Sequence, residues 1–264
     1  MTNEGEFIDI NNVGDRFTKI RTQRCEDLMI PEARVLIDLP LDEKIKKSKE
    51  IIKEAIEKFP NIGLGFSGGT DSLILLHITL QIKSDIPIVF VDTQHEFPET
   101  YQFIEKIRKD WRLTKYTAVM AEKNKFEEFK QNLGLKTPEF TTTCCDYHKI
   151  SPMMKAIGDF KFGAFLVGLR GVEHEERAKE VFFSPRKNPA HFRVHPLLFW
   201  RREDIMEYVN RFNIECNPIY KQGYTSLGCT HCTEKNLDPN AHERAGRGIV
   251  REIVMDKLRA LGYT

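Results

Sequence analysis

Several features that would mark a membrane or secreted protein are missing from this 264-residue sequence. It contains no apolar run of about 18 residues, the length of a membrane-spanning helix, so we expect no membrane partner. Its first residues, MTNEGEFIDINNVGDRF, lack an apolar signal region, and we therefore expect a cytoplasmic protein. No internal repeat or low-complexity tract is present. These absences leave a globular protein as the expected class.

An excess of charge of either sign is also missing, because 40 lysines and arginines face 39 aspartates and glutamates. The resulting net charge of +1 gives no general attraction for an anionic partner, so only local clusters can indicate an anion site. No basic tract is present, and nucleic acid is therefore not an expected ligand. Hydrophobic residues make up 41% of the sequence, which is ordinary for a protein with a substantial core.

The apolar pattern alternates between strand-like and helical segments. Short apolar runs predict strands at 62–66, 86–92, 115–121 and 163–170. Amphipathic or apolar segments predict helices at 41–59, 72–82, 99–111, 125–134, 201–212 and 241–261. This alternation is typical of an α/β fold with a doubly wound, mainly parallel sheet of Rossmann-like form.

The first 40 residues show little periodicity. We interpret residues 1–40 as an N-terminal extension that packs on the main domain or on a partner, and residues 41–264 as one domain. The extension is a candidate interface, and we expect a homo-oligomer.

Doubly wound sheets bind ligands at the carboxyl ends of their strands. Three polar segments follow predicted strands here, Ser67–Ser72, Asp92–Thr100 and Arg170–Arg177. We therefore expect a ligand site to include these segments.

The segment SGGTDS combines features of an anion-binding turn. Gly68 and Gly69 can adopt backbone angles closed to other residues and let an anion approach the backbone N–H groups. The following helix begins with free N–H donors and a partial positive charge. On the residues alone, a tight turn in which Asp71 or Ser72 caps the helix is the alternative. The candidate binding residues are Ser67, Gly68, Gly69, Thr70, Asp71 and Ser72.

Two motifs together carry a resemblance to a known family. SGGTDS resembles the PP-loop of the adenine-nucleotide α-hydrolase-like superfamily, and VDTQHEFPET is similar to the VDTGxxFPET string of the sulfonucleotide reductases. The resemblance implies that the PP-loop holds the phosphosulfate of a nucleotide, with Val91, Asp92 and Thr93 near the adenosine. Without the PP-loop, a polar loop with Phe97 in the core would explain the second motif equally well.

Four cysteines form a second pattern, CC at Cys144 and Cys145 and CxxC at Cys229 and Cys232. In a cytosolic chain such cysteines indicate metal binding or redox chemistry before disulfides. We expect adjacent cysteines to point to opposite sides, which would strain a single zinc site and fits a larger cluster better. The pattern is also similar to that of the iron–sulfur sulfonucleotide reductases, which implies a [4Fe–4S] cluster. Zinc and unligated buried cysteines are the alternatives.

The remaining two cysteines, Cys25 and Cys216, have no partner pattern and are interpreted as small buried hydrophobes.

Several cations also fall in family-like positions. GLRGVEHEERAK resembles the GxRxxxSxxR segment and supplies Arg170 and Arg177, while HERAGRG supplies Arg244 and Arg247. Guanidinium groups bind sulfate and phosphate through paired hydrogen bonds, although solvated surface charges are the alternative interpretation.

The basic pair that follows CC in the family corresponds to His148 and Lys149, with histidine in place of arginine. By the resemblance, Lys149 joins Arg170 and Arg177 as a catalytic residue. The other basic residues considered are interpreted as surface groups, namely Lys187, Arg193, Arg201 and Arg202.

The implied reaction is reduction of adenylyl sulfate or phosphoadenylyl sulfate with release of sulfite, using a thiol donor such as thioredoxin. The chain departs from the family in having no cysteine after Cys232, where a nucleophilic cysteine is expected. Its ending, GRGIVREIVMDKLRALGYT, is weakly similar to the small subunit of ATP sulfurylase. An adenylyltransferase, a PP-loop sulfur transferase acting on nucleic acid and a non-catalytic nucleotide sensor are therefore the alternatives.

Overall fold

A computed structural model describes residues 24–236, 238 and 242–263 of the chain. Within these residues one sheet has six strands in the order β3-β2-β1-β4-β6-β5. The strands are β1 (Ile62–Gly65), β2 (Ile88–Val91), β3 (Tyr116–Val119), β4 (Ala164–Leu166), β5 (Phe183–Lys187) and β6 (Ala190–Val194).

The α-helices connect and follow these strands. They are α1 (Pro31–Arg34), α2 (Leu41–Lys58), α3 (Thr70–Leu80), α4 (Pro98–Asp110), α5 (Phe126–Leu133), α6 (Pro138–Cys145), α7 (Ser151–Asp159), α8 (Glu175–Ala178), α9 (Arg202–Arg211), α10 (Ile249–Ile253) and α11 (Met255–Ala260). A π-helical turn, Asp146–Ile150, joins α6 to α7.

The sheet is parallel from β3 to β6, as shown by the pairings of Leu64 with Ile88, Gly63 with Phe165 and Leu166 with Val194. Among the described strands, β5 alone is antiparallel, paired with β6 as a hairpin. The strand order starts from β1 and grows in both directions, which is the topology of a doubly wound sheet. The prediction of a mainly parallel α/β sheet is therefore confirmed.

Both faces of the sheet are covered, which explains why its strands are nearly continuous apolar runs. The main core includes Ile52 of α2, Leu73 of α3, Ile104 of α4 and Tyr208 of α9. On the opposite face, α7 contributes Ile157 to a smaller core. No helix among residues 24–236 and 242–263 is long and apolar enough to cross a membrane.

The segment from residue 24 to residue 40 packs on the main core. Cys25, Met29, Ala33 and Ile37 are buried there. The remainder of the expected extension, residues 1–23, lies outside the described residues.

Several elements differ from the predictions, which did not include α6 (Pro138–Cys145) or α7 (Ser151–Asp159). The single helix predicted at 241–261 is wrong, because the backbone at Val254 leaves the helical region and separates α10 from α11. Residues 239–241 lie outside the described part. The β5–β6 hairpin has no counterpart in the sequence predictions, because its residues, FSPRK and AHFRV, show no clear apolar alternation.

Candidate functional site

The turn between β1 and α3 is held open by its own side chains. Gly68 has φ +77°, and an added Cβ would lie 3.1 Å from Ile104, so a glycine is required. The Ser72 hydroxyl accepts a hydrogen bond from the Ser67 N–H at 3.2 Å and donates to the Gly69 carbonyl at 2.9 Å. The turn is therefore stabilised in a shape that exposes the start of α3.

A cavity of about 590 Å³ lies at the carboxyl ends of β1, β2 and β4. Ser67, Thr70 and Asp71 of the turn line it, together with Val91 at the end of β2. The predicted cations line the same cavity, namely Lys149, Arg170, Arg177, Arg244 and Arg247. The fold thus brings together residues that are separated by up to 180 positions in the sequence.

Arg170 lies among carboxylates. Its Nε is 3.1 Å from Asp71, and its Nη2 donates to Glu243 at 2.6 Å. Burial raises the pKa of Asp71 to about 6, because the attraction of Arg170 offsets the desolvation cost only in part. Glu173 is held near the same guanidinium group, 3.4 Å from Nη2. Arg170 therefore has most of its charge neutralised by protein groups.

Two other predicted arginines also have carboxylate partners. Arg177 donates to Glu173, and Arg244 donates to both oxygens of Glu252. Burial would raise the pKa of Glu173, but Arg177 and Arg170 lower it to about 2. These pairs fix the guanidinium groups in place at the wall of the cavity.

Arg247 is held differently. Its Nη1 donates to the Leu227 carbonyl at 2.5 Å and to the Thr233 hydroxyl at 3.3 Å. Its Nε is buried and has no partner among the described residues. Burial lowers the pKa of Arg247, as expected for a cation paired with neutral oxygens. Of the four predicted arginines, this one retains the most uncompensated charge.

Tyr263, which the sequence predictions missed, lies among these cations. The Lys149 ammonium is 5.3 Å from its ring centre and the Arg251 guanidinium 4.8 Å. Burial would raise the pKa of the Tyr263 hydroxyl, but Arg251, Lys149, Arg247 and Arg177 lower it well below 10. Tyr263 is the next-to-last residue of the sequence and belongs to none of the motifs, so the sequence did not mark it as part of the site.

The interpretation of Arg193 as a surface residue is wrong. Arg193 is 1% exposed and lines the large cavity. Its Nη2 donates to the Gly262 carbonyl at 2.9 Å, and its Nε donates to His191 at 3.2 Å. Burial lowers the pKa of Arg193 to about 9. The residue anchors the end of the described chain to β6.

The other basic residues interpreted as surface groups are exposed or partly exposed. Lys187 is exposed, Arg201 pairs with Glu26, and Arg202 lies at the rim of the cavity 3.6 Å from Glu243.

Asp92 and Thr93 follow β2 but do not line the large cavity. Asp92 accepts hydrogen bonds from Tyr101 and the Gln94 N–H, both at 2.7 Å. Thr93 is buried, with its hydroxyl 3.3 Å from the Cys229 sulfur. The structure thus places Thr93 at the cysteines, whereas Val91 faces the large cavity.

The four patterned cysteines line one small cavity next to the large one. Cys144 and Cys145 end α6, while Cys229 and Cys232 flank a 3₁₀ turn. The expectation that adjacent cysteines point to opposite sides is wrong here, because neighbours on a helix are only about 100° apart. Lys149 and Arg247 line both cavities and so connect them.

The groups around this cavity fit a sulfur-ligated metal centre. None of the four cysteines forms a disulfide, and Arg251 donates to the Cys145 sulfur at 2.9 Å. Neither ring nitrogen of buried His148 has a hydrogen-bond partner in the described part of the chain. A sulfur-rich anion in the cavity could accept a hydrogen bond from this ring. Across the described residues, no three His, Cys, Asp or Glu side chains are arranged around a single metal ion.

Of the four cysteines, Cys145 is buried and the other three are half-buried. Burial raises the pKa of Cys144 and Cys232, and it raises the pKa of Cys229 to about 11. These cysteines are therefore neutral thiols unless a metal displaces their protons.

The two remaining cysteines differ from each other. Cys25 is fully buried in the main core, as predicted. Cys216 is only half-buried and lines the large cavity, so its interpretation as a core hydrophobe is only partly right. Burial raises the pKa of the Cys216 thiol, which disfavours the nucleophilic thiolate.

The doubly wound sheet with a glycine-rich turn at the start of α3 defines the PP-loop class of α/β proteins. A sequence profile of the phosphoadenosine phosphosulfate reductase domain matches residues 61–235. The chain belongs to this family, and its relatives that are named reductases indicate an oxidoreductase acting on a sulfur group.

Curated relatives support this assignment. The adenosine 5′-phosphosulfate reductase of Anoxybacillus flavithermus is 30% identical over 198 residues, which cover 74% of this chain and 82% of the relative. The phosphoadenosine 5′-phosphosulfate reductase of Buchnera aphidicola is 30% identical over 209 residues, covering 78% and 84%.

A solved structure supports the fold. The phosphoadenylyl-sulfate reductase of Candida auris, in a phosphate complex, matches with a TM-score of 0.59 and 20% identity, covering 74% of this chain and 96% of that one.

Proposed function

We propose that this protein reduces adenylyl sulfate or phosphoadenylyl sulfate and releases sulfite, with a [4Fe–4S] cluster in the cysteine cavity. One observation carries the proposal: a cavity with a PP-loop and clustered cations adjoins a four-cysteine cavity, and Lys149 and Arg247 line both. The relatives named above are reductases of one nucleotide or the other, and the proposal covers both.

In this proposal the PP-loop binds the phosphate of the nucleotide, and the unpaired cations bind its sulfate end. Ser67 and residues 69–72 face the cavity at the start of α3. There the N–H groups of Gly69 and Thr70 donate to the hydroxyls of Ser67 and Tyr220, which a phosphate oxygen would replace as acceptor. Lys149 and Arg247 have no carboxylate partner within hydrogen-bonding distance in the described residues, so they have charge available for the sulfate end. Arg170, Arg177 and Arg244 are held by carboxylates and mainly shape the wall.

The residues that would hold the cluster are Cys144, Cys145, Cys229 and Cys232. When bound, such a cluster supplies a redox-active anionic group whose properties depend on nearby charges and hydrogen bonds. The protein's own contribution is to place Lys149 between this group and the nucleotide and to exclude water from the thiols.

We infer that the reducing thiol comes from another molecule. Of the six cysteines, four line the cysteine cavity, Cys25 is in the core, and the pKa of Cys216 is raised. We infer that a thiolate of a dithiol donor attacks the sulfur of the nucleotide, forming a sulfur–sulfur bond. The sulfur–oxygen bond breaks, and the nucleoside phosphate leaves with the electron pair. The second thiol then attacks the first, releasing sulfite and forming a disulfide, so two thiols are oxidised while the sulfur gains two electrons.

The test is a sulfite assay under anaerobic conditions. The reconstituted protein is mixed with adenylyl sulfate or phosphoadenylyl sulfate and dithiothreitol or reduced thioredoxin. We expect one sulfite and one disulfide per nucleotide consumed, and Cys216→Ser should retain this activity. No sulfite from either nucleotide, or pyrophosphate release from ATP instead, would refute the proposed reaction.

The cofactor is tested separately from the reaction. Iron, sulfide and zinc are measured in the purified protein and in Cys229→Ser, with Cys25→Ser as the matched control. We expect iron and sulfide in the parent protein and in the control, and their loss in Cys229→Ser. A protein that contains zinc and no iron would refute the [4Fe–4S] cluster and indicate a zinc site.

A further inference from the structure

Arg251 is a buried cation at the cysteine cavity that sequence reasoning did not identify. Its side chain is in α10, is 2% exposed, and lines the cysteine cavity. Nη1 donates to the Cys145 sulfur at 2.9 Å, while Nε and Nη2 are buried without partners in the described residues. No carboxylate of the described residues lies within 4.0 Å of it.

A buried guanidinium group without a carboxylate is costly, because the charge loses its hydration. The neighbours of Arg251 are the Tyr263 ring and the sulfur of Cys145. Four neutral thiols would not offset the cost. Four thiolates around a metal centre would, since four negative charges exceed the positive charge of either zinc or a [4Fe–4S] core.

Lys149 and Arg247 also line this cavity, but both line the large cavity as well, so among the described residues Arg251 is the arginine or lysine confined to the cysteine side. His148 is 2% exposed and lines the same cavity, and neither ring nitrogen has a hydrogen-bond partner in the described residues. Of the groups lining the cavity, Arg251 makes the guanidinium contact to a cysteine sulfur.

We propose that Arg251 is the internal counter-ion of the metallated four-cysteine centre, held against it by its hydrogen bond to the Cys145 sulfur. This inference rests on the metal-binding part of the proposed function and adds a residue from α10 to it. Arg251 stabilises the more negative, reduced form of the centre and slows loss of the metal. It acts through charge and through its hydrogen bond to Cys145, so it is a positioning residue.

The experiment compares the parent protein, Arg251→Lys and Arg251→Gln after anaerobic reconstitution. Iron, sulfide and zinc content, the rate of metal loss to a chelator, and the reduction potential are measured. We expect Arg251→Gln to lose metal about 10- to 100-fold faster, as for other substitutions next to metal ligands. Its reduced-to-oxidised ratio at a fixed potential should fall about tenfold, which is about 59 mV for one electron. Arg251→Lys should restore most of both properties.

A second substitution separates charge from packing. His148→Lys in the Arg251→Gln background returns a positive charge to the lining of the cysteine cavity and should slow metal loss again. Circular dichroism of the metal-free variants checks that they fold.

The outcomes distinguish the two proposals. A parent protein that carries a metal centre, with unchanged metal loss and potential in Arg251→Gln, overturns the role of Arg251 and leaves the proposed function intact. A parent protein that binds neither iron nor zinc overturns the cofactor and the counter-ion together. Loss of metal in Arg251→Gln with no rescue by lysine at either position shows a packing role and also overturns the inference.

Discussion

At the scale of single residues, the site depends on which cations are already paired. Arg170, Arg177 and Arg244 have carboxylate partners, whereas Lys149 lies over the Tyr263 ring. A cation without a carboxylate partner loses less attraction when an anion binds, so it contributes more to affinity. Lys149, in the π-helical turn Asp146–Ile150, should therefore contribute more to binding than the three paired arginines.

Lys149→Ala should weaken binding of adenylyl sulfate about 10- to 100-fold. The reason is loss of one charge-assisted hydrogen bond, which contributes about 1.5–3 kcal/mol. Calorimetric titration of the nucleotide measures the effect, with exposed Lys187→Ala as the control. Equal affinities of the two variants would contradict the assignment of Lys149 to the nucleotide site.

The binding of adenylyl sulfate should also depend on the ionisation of Asp71. Its carboxyl group faces Arg170, Glu173 and Glu243, and burial raises its pKa to about 6. Below that pH, Asp71 is neutral and Arg170 is freer to attract the anion; above it, a negative charge lies at the PP-loop. Affinity should therefore fall as the pH rises through 6.

Titrations from about pH 5 to about pH 8 measure this dependence, in a window around the shifted pKa. Asp71→Asn should bind the nucleotide with an affinity that no longer changes through pH 6. The same slope in Asp71→Asn and in the parent protein would assign the pH dependence to another group.

At the scale of elements, two connections position the site. The π-helical turn Asp146–Ile150 lies between α6 and α7, so it displaces Lys149 from the line of the cysteines on α6. The loop after β4 lies directly on the PP-loop, since an added Cβ at Gly168 would be 2.8 Å from the Asp71 carbonyl carbon and the Ser72 nitrogen. The second connection depends on a close backbone contact at Gly168.

Gly168→Ala should push the two loops apart. Overpacking of this kind costs about 1–3 kcal/mol of stability, and we expect weaker nucleotide binding as well. Chemical denaturation and calorimetry measure the two effects.

Gly158→Ala is the matched control. Gly158 lies in α7, and its added Cβ would be 3.8 Å from Pro189, an ordinary van der Waals contact. That variant should be stabilised by up to about 1 kcal/mol. A Gly168→Ala protein as stable as this control would rule out the tight contact.

At the scale of the whole molecule, the last described residues return to the sheet. Arg193 of β6 holds the Gly262 carbonyl, and Tyr263 then lies beside Lys149 and Arg251. The fixed position of α10 and α11 therefore depends in part on a strand far away in the sequence. The contact between Arg193 and Gly262 therefore helps to hold Tyr263 beside cations that line the two cavities.

Arg193→Gln should loosen this end of the chain. It leaves a buried carbonyl without its charged donor, at a cost of about 1–3 kcal/mol. Hydrogen exchange should become faster in residues 249–263 than in the sheet. The exposed Arg108→Gln, which loses a pair with Glu105, should change stability by less than about 0.5 kcal/mol. Exchange that rises equally throughout Arg193→Gln would contradict a local anchor.

The sequence by itself determined the parallel sheet and the position of the PP-loop. Strand-length apolar runs and a turn rich in glycine are local signals, because each depends on neighbouring residues only. The runs at 86–92 and 115–121 became β2 and β3 for this reason. Likewise, SGGTDS could be placed between a strand and a helix before any contact was known.

The tertiary structure alone decided which cations are paired, which are buried and which meet the cysteines. Arg193, Arg251 and Tyr263 have no distinctive sequence neighbours, and their roles arise from contacts with Gly262, Cys145 and Lys149. Burial and charge pairing are properties of the whole fold, since they depend on groups that approach from distant parts of the chain. For the same reason, no local pattern could separate Arg193 in the core from Arg202 at the rim.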